Sequence, residues 1–323
     1  MENYKTNYIY YLNSKTKKEL EFILNTYEIE YKKYKTKAIL KDLILNNLEK
    51  IAEYTLEIIQ YDELQYLKLL VKKEGILKVK VNFALLDFLK VLKRNALVYS
   101  TDNVLFIMPL ELVNIYKNIL KDKDIINKSG ENTIKYNCIL GYVDIYGIVD
   151  FNIIYKNYYK DLKYSKKQAL RNIKMFATFY REMKVFTNKN KKYIASNVFN
   201  AFKEAAFLLK NRYFKKHTNE EILRIHNFEF MKKNKAYKKL YRFVNKYYDV
   251  EKTNYKIINK YILIPYLHYQ QINKEKADKK LALFIDDYFE YKSKKHQEKF
   301  IELIYDIATY YPSWISESYM EKE

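Results

Sequence analysis

The amino-acid sequence predicts a mainly α-helical protein. The chain of 323 residues contains only four glycines and three prolines, residue types that sandwiches, barrels and phosphate-binding loops need at their turns. Hydrophobic residues make up 49% of the chain, which is enough for substantial cores, and they recur mostly at helical spacing. We expect three parts: a helical hairpin, a small α+β unit and a larger helical domain.

The first part, residues 1–58, is predicted to be the helical hairpin. Ser14 can cap a first helix, and a second helix follows the short basic stretch YKKYKTK at residues 31–37. The apolar residues of the two helices recur every three or four positions: Leu20, Ile23, Leu24, Leu40, Ile44 and Leu48. This spacing gives each helix one apolar side, so that the two can pack against each other.

Residues 59–127 are predicted to form the small α+β unit. A helix broken near Gly75 is expected at residues 62–77, and another helix at residues 83–93. The chain then changes to two β-like runs, Ala96–Tyr99 and Val104–Met108, separated by turn residues. Two helices followed by a short hairpin is the order of a winged helix-turn-helix domain, although a plain α+β domain has the same order.

The remainder, residues 131–323, is predicted to be a helical domain. The segment DKDIINKSGEN around Gly130 is the best candidate for a linker before it. Beyond this segment the chain is expected to be helical almost throughout, with breaks at Gly147, at residues 188–192 and at Pro265.

Two groups of motifs resemble known families. One pattern resembles the helix-extended-helix arrangement of SAP and Rho-N-terminal-like domains: Leu20, Ile23 and Leu24, then Ile29, then Lys37, Leu40 and Ile44. Three further segments are similar to the wing, the Gly-Tyr-Gly signature and the tryptophan box of uncharacterised proteins from Firmicutes and their phages: Asn95–Pro109, Leu140–Gly147 and Tyr310–Trp314. Some of those proteins carry a cysteine-rich SEC-C zinc motif, which is absent here. The resemblance implies a DNA- or RNA-associated scaffold and supplies no catalytic residue.

The charge of the chain favours a nucleic-acid partner. Sixty Lys and Arg residues against 39 Asp and Glu residues give a formal net charge of +21. An AT-rich genome would raise the lysine content, but it does not by itself determine the ratio of lysine to glutamate. A surplus of this size attracts polyanions over long distances.

The most basic segment is residues 231–248, MKKNKAYKKLYRFVNKYY, which holds seven basic residues and no acid. On one helix, four cations form a basic stripe at steps of three and four residues: Lys235, Lys239, Arg242 and Lys246. Tyrosines occupy the opposite side. We predict that this stripe contacts nucleic acid. The alternatives are an ordinary lysine-rich outer face and a membrane-surface helix, although the bulky Leu and Trp that insert into lipid are scarce.

Two further groups of cations are candidate phosphate contacts. The hairpin's basic stretch supplies Lys32, Lys33, Lys35 and Lys37, which can position a protein on a nucleic-acid backbone without reading sequence. The helix expected at residues 83–93 supplies Lys90, Lys93 and Arg94. Its exposed face is sparse for a helix that reads bases in the major groove, so sequence-specific readout is not favoured. A solvated loop and an ordinary helix surface are the alternatives.

Catalytic and metal-binding patterns are few. The single cysteine, Cys138, excludes a disulfide framework and multi-cysteine zinc sites. The four histidines lack metal-ligand spacing, so we expect no metal, no cofactor and no enzymatic activity. One rival remains: Arg212 and His217 match the R-x4-H spacing of HEPN ribonucleases, in which the histidine would act as acid or base and the arginine would bind phosphate.

We therefore predict a non-catalytic protein that binds DNA or RNA mostly through the phosphate backbone. The resemblance suggests that a phage or mobile element encodes it. A protein-interaction module, such as an inhibitor or antidefence factor that binds a nucleoprotein complex, is the main alternative, and a HEPN-like ribonuclease is another. The sequence shows no signal peptide and no long uncharged apolar run, so we expect a cytoplasmic protein with no membrane partner.

Overall fold

The computed structural model describes residues 7–32, 35–79, 83–100, 104–210, 217–247, 258–286, 293–311 and 314. Helices dominate, which confirms the predicted mainly α class, and each of the two sheets has three short strands. The chain separates into two compact units. Unit 1 comprises residues 1–136 and 178–180, and unit 2 comprises residues 137–177 and 181–323. The predicted division into three domains stays a prediction.

Unit 1 begins with short helices that lead into a small sheet. Its helices are α1 Tyr8–Asn13, α2 Lys17–Thr26, α3 Lys37–Leu45, α4 Leu48–Leu56, α5 Tyr61–Lys72, α6 Phe83–Arg94 and α7 Leu110–Ile119. Its strands are β1 Ile76–Lys78, β2 Tyr99–Ser100 and β3 Leu105–Ile107. A further helix, α8 Asp124–Tyr146, begins in unit 1 and ends in unit 2.

Helices α2 and α3 lie where the helical hairpin was predicted, but the described part of residues 1–58 contains four helices rather than two, and Leu48 begins α4 instead of continuing the second predicted helix. The predicted apolar residues are buried between these helices and their neighbours, and Leu20, Leu40 and Ile44 expose no surface. The cap of α2 is Thr16 rather than Ser14, because Thr16 and Glu19 form a reciprocal capping box. Thr36 caps α3, because its side chain accepts a hydrogen bond from the backbone N–H of Ile39.

The sheet of unit 1 contains the predicted hairpin and one strand that the sequence analysis missed. Strands β2 and β3 pair antiparallel, and β1 pairs with the other edge of β3. The helix predicted at residues 62–77 ends at Lys72, close to the predicted break near Gly75, but the residues after the break form strand β1 rather than a helix. Glu74 and Gly75 have left-handed backbones, with φ of 53° and 79°, and a left-handed residue ends a helix and turns the chain.

Buried tyrosines join the first helices of unit 1 to the end of α6. The Tyr8 hydroxyl donates to the carbonyl of Ala96 at 2.8 Å, and the Tyr27 hydroxyl donates to the carbonyl of Asn95 at 2.6 Å. Both rings are fully buried. A buried phenol needs such a partner, so these two bonds determine how the first helices are oriented on α6.

Unit 2 is helical but also contains a sheet. Its helices after α8 are α9 Phe151–Ile154, α10 Lys166–Tyr180, α11 Phe202–Lys210, α12 Asn219–His226, α13 Lys235–Tyr247, α14 Ile264–Gln270, α15 Lys274–Asp286 and α16 Lys294–Ala308. Helix α10 ends in unit 1, where the Tyr180 hydroxyl lies against the Glu63 carboxylate and the carbonyl of Ile58. Strands β4 Ile148–Asp150, β5 Met183–Asn188 and β6 Lys191–Ser196 form an antiparallel sheet in the order β4-β6-β5.

Two expectations for this part of the chain were wrong. The predicted linker around Gly130 lies inside α8, where the polar side chains of Ser129 and Asn132 are buried. The predicted break at residues 188–192 is the turn of a β-hairpin rather than a junction between helices. Lys189 and Asn190 both have positive φ, at 45° and 63°, as a tight two-residue turn between antiparallel strands requires.

The core of unit 2 packs α13 to α16 together. Aromatic and aliphatic side chains of all four helices share one buried cluster, which includes Tyr241, Leu267, Leu281 and Phe300. A second cluster surrounds Trp314 and includes residues of the sheet and α11. Within the described residues, no helix has the length and apolar character needed to cross a membrane.

Candidate nucleic-acid interface

Helix α13 presents the predicted basic stripe to solvent. Asn234 begins the helix, because its side-chain oxygen accepts from the backbone N–H of Ala236 at 2.8 Å. The four predicted cations are all exposed: Lys235, Lys239, Arg242 and Lys246. Three more exposed lysines belong to the same surface: Lys232, Lys233 and Lys238. We call these seven side chains the α13 basic face.

The opposite side of α13 is anchored in the core, as the spacing predicts. Tyr237, Tyr241 and Val244 are buried. The hydroxyls of Tyr237 and Tyr241 both donate to Oδ1 of Asn259, at 2.9 and 3.2 Å. These tyrosines are therefore held in the core and are not available for stacking on a nucleic acid. Their bonds to Asn259 also fix the rotation of α13, so that the basic face points outward.

The charge of the α13 basic face is not balanced locally. Helix α13 contains no acidic residue. Where the structure describes the chain, no acidic side chain lies within ion-pair distance of the seven cations. The exposed cations repel one another, and an external polyanion would relieve that repulsion.

The basic stretch of the hairpin is divided between structural and solvated positions. Lys37 donates from Nζ to the carbonyl of Asn13 at 2.8 Å, so its charge helps to hold α3 beside α1. Lys35 is half-buried and Lys32 is exposed. Lys33 lies outside the described residues. Of this predicted group, Lys32 and Lys37 are the exposed side chains among those that the structure describes.

The third predicted group lines a cavity of about 600 Å³ in unit 1. Lys90, Lys93 and Arg94 reach it from the end of α6. Tyr10, Phe22 and Tyr99 are among the aromatic residues of its walls, so cations and rings meet in one concave surface. We call this the unit 1 cavity. No local pattern in the sequence indicates this cavity, because its walls come from α1, α2, α6 and β2, which meet only in the folded chain.

The cations that line the unit 1 cavity differ in the contacts that they make within the protein. Arg94 donates from Nη2 to the carbonyls of Phe179 and Tyr180, at 3.0 and 2.9 Å, so it also holds the end of α10. Burial disfavours the charge of Lys15, but contacts with Tyr11 and Glu19 outweigh this and raise the pKa of Lys15. Lys90 is exposed and is the cation best placed to meet a ligand.

Unit 2 contains a buried polar cluster that the sequence analysis missed. The carboxylate of Asp144 lies between two imidazoles: Oδ2 is 2.7 Å from Nδ1 of His226, and Oδ1 is 3.1 Å from Nε2 of His268. The second contact is not aligned as a directed hydrogen bond. The hydroxyl of Ser196 lies 3.0 Å from Nδ1 of His268. Trp314 closes the group by donating from Nε1 to the carbonyl of Asp144 at 2.8 Å.

The side chains of this group, the Asp144 cluster, are largely buried. Burial opposes ionisation of Asp144, but the hydrogen bond from His226 and the proximity of His268 lower its pKa. Ser196, His268 and Asp144, which contact one another in that order, are the three residue types of a hydrolytic triad. Ser196, however, exposes no surface, and the Trp314 ring packs 4.9 Å from that of His268. No substrate can reach the Ser196 hydroxyl in this arrangement.

The structure can also be searched for a metal-binding group and for the Arg212 and His217 pair of the alternative ribonuclease prediction. No group of three His, Cys, Asp or Glu side chains is arranged to bind a metal in the part of the chain that the structure describes. His217 is buried, with its ring 6.0 Å from that of Tyr146 and its Nδ1 3.7 Å from Oε2 of Glu221. Arg212 lies outside the described residues, so the pairing of Arg212 with His217 stays a prediction.

Comparison with protein-family models, with curated proteins and with solved structures finds no match. The resemblance to SAP-like and Firmicutes or phage proteins therefore stays a prediction. The geometry of the α13 basic face and of the unit 1 cavity provides the basis for a functional proposal.

Proposed function

We propose that this protein binds nucleic acid without catalysis and that the α13 basic face is its main contact. The observation that carries the proposal is a group of seven exposed cations, five on α13 and two shortly before it, with no acid on the helix. The net charge of +21 supports it, because the whole molecule then attracts a polyanion toward this face. The tyrosines of α13 are bonded to Asn259, so contacts by this helix are made by Lys and Arg with phosphates.

The dimensions of the basic stripe suit a nucleic-acid backbone. A rise of about 1.5 Å per residue places Lys235 and Lys246 roughly 16 Å apart along the helix axis. One strand of a duplex presents roughly five phosphates over that length, at about 3.4 Å per phosphate along the axis. Such contacts position a protein on the backbone but do not read bases. We therefore propose low sequence specificity and a strong dependence on salt.

Neutralising the stripe tests the proposal. The triple variant K235Q/K239Q/R242Q should bind DNA or RNA roughly 10- to 100-fold more weakly near 150 mM salt, because up to three phosphate contacts are lost. The slope of log affinity against log salt should fall by about 2 to 3 on duplex DNA. Fluorescence anisotropy with labelled duplex and single-stranded oligonucleotides over a salt series measures both quantities.

The chain offers a control of equal charge. The variant K274Q/K294Q/K295Q also removes three exposed cations from unit 2 but leaves α13 intact, and it should keep the parent's salt slope. Equal losses in both variants would mean that net charge alone, and not the α13 basic face, governs binding. Absence of any binding by the parent at about 50 mM salt would disprove the proposal, and a stoichiometric protein partner would then favour the protein-interaction alternative.

A further inference from the structure

We propose that the unit 1 cavity binds an unstacked base, together with its neighbouring phosphate, of single-stranded nucleic acid. This inference rests on the proposed function and names a class of substrate for it. It assigns a second contact, on a different part of the chain from α13, with a different chemistry. The cavity combines exposed aromatic surface with cations, whereas the α13 basic face offers cations alone.

The aromatic residues of the cavity are open in a way that buried core residues are not. Tyr10 exposes 49% of its surface and Phe22 exposes 37%, and both line the cavity. Exposed rings in a concave site leave apolar area in contact with water, and a planar base would cover that area by stacking. The volume of about 600 Å³ lies within the range of small-molecule sites.

The walls of the cavity are rigid enough to hold a ring in place. Tyr11 stacks on Tyr99, with ring centroids 5.6 Å apart, and on Tyr8, with centroids 6.0 Å apart. The Tyr8 hydroxyl is bonded to Ala96, which attaches this row of rings to the end of α6. One aromatic wall is therefore part of the fold, and Tyr10 lies next to it in sequence with its own surface exposed.

The charges of the cavity select an anion. Lys90, Lys93 and Arg94 contribute three positive charges from the last turns of α6. Among the described residues that line the cavity, Glu19 is the one acid, and its carboxylate is 3.2 Å from the ammonium of Lys15. Arg94 is held by the carbonyls at the end of α10, so the exposed Lys90 is the main phosphate contact.

The combination of rings and cations favours a single strand over other anionic partners. An acidic peptide would satisfy the lysines but would leave the exposed rings uncovered. A duplex presents phosphates outward and keeps its bases stacked inside, so it cannot stack a base on Tyr10 or Phe22. A single strand can offer both a base and a phosphate at the spacing of one nucleotide.

The test uses the full chain and two variants with matched controls. Y10L removes the exposed ring and K90Q removes the exposed charge. Y310L, at an exposed tyrosine of unit 2, and K72Q, at an exposed lysine of α5, are the controls. Affinity for a ten-nucleotide oligothymidylate and for a duplex of the same length is measured by anisotropy. Y10L should weaken single-strand binding by about 5- to 100-fold and leave duplex binding within about twofold.

A second measurement uses the unmodified protein. Irradiation of its complex with an oligonucleotide that contains 5-iodouracil should cross-link Tyr10 or Phe22, as identified by mass spectrometry. Equal weakening of single-strand and duplex binding by Y10L, no weakening, or cross-links only outside the cavity would each overturn this inference. If K235Q/K239Q/R242Q still loses binding in that case, the proposed function stands without it. If the parent binds no oligonucleotide at all, both fail.

Discussion

The unit 1 cavity and the Asp144 cluster of unit 2 both bring polar and aromatic side chains together, but they differ in exposure and in charge balance. In the unit 1 cavity, Tyr10, Phe22 and Lys90 retain exposed surface, and positive charge exceeds negative charge. In the Asp144 cluster, the carboxylate is almost completely buried between two imidazoles. Groups that satisfy one another internally serve the fold, whereas groups that remain open are available to a ligand.

The comparison also separates two uses of aromatic residues in a chain with 36 tyrosines. Tyr8, Tyr27 and Tyr237 are buried and donate their hydroxyls to internal acceptors. Tyr10 belongs to the same short helix as Tyr8 but exposes 49% of its surface. Tyr8 and Tyr10 lie two positions apart, and because each helical residue turns by about 100°, their side chains point in nearly opposite directions, one into the core and the other toward the cavity.

The largest expected effect is that of D144A on the stability of unit 2. Removing the carboxylate leaves His226 and His268 without their shared partner in a buried site. We expect the free energy of unfolding to fall by about 3–5 kcal/mol. Urea denaturation, with hydrogen exchange to locate the change in unit 2, measures this. D306A, at an exposed aspartate of α16, is the control, and equal losses in the two variants would contradict the assignment.

A smaller loss of stability is expected for G141A, because Gly141 lies where α8 packs against α12. A Cβ at Gly141 would lie 2.5 Å from Cγ2 of Ile222 and 2.8 Å from its carbonyl oxygen. G141A should therefore destabilise the protein by about 1–3 kcal/mol.

Gly130, on the same helix, provides the matched control because a Cβ there meets no atom within 4 Å. G130A should stabilise the protein by about 0.5–1 kcal/mol, since alanine favours a helix. Thermal unfolding of both variants distinguishes them by the sign of the change in Tm. A destabilising G130A would show that the segment once predicted as a linker is not a regular helix.

The Asp144 cluster should also make stability depend on pH. The pKa of Asp144 is lower in the folded protein than in an exposed carboxyl, so its contribution is present above the unfolded value of about 4. It is lost as the pH falls through the lower folded-state pKa. The difference in unfolding free energy between the parent and D144N should therefore shrink as the pH falls from about 5 toward 3. A difference that grows on acidification would contradict this sign.

The smallest effects on stability are expected at the unit 1 cavity. Y10L and K90Q change exposed side chains and should alter the free energy of unfolding by less than about 0.5 kcal/mol. Chemical denaturation of the binding variants measures this directly. A loss as large as that of D144A would mean that the cavity residues hold the fold, and the contrast between the two regions would disappear.

Much of the local structure follows from spacing and from a few turn residues. Neighbouring positions in the sequence are enough to predict the periodic apolar residues of α2 and α3 and the two-sided pattern of α13. They also indicate the hairpin of β2 and β3. Strand β1 was missed because it has three residues and directly follows a helix of similar composition. The hairpin of β5 and β6 was missed because Lys189 and Asn190, although not glycines, adopt the left-handed backbone of its turn.

The sequence by itself determined the helical class, the excess of positive charge and the outward position of the α13 cations, because these depend on composition and on residues three or four positions apart. Only the tertiary structure decided that Lys90 and Lys93 share a cavity with Tyr10 and Phe22. It also decided that Asp144 meets His226 and His268. Those meetings join residues more than 60 positions apart, and side-chain packing within each unit, not any local pattern, brings them together.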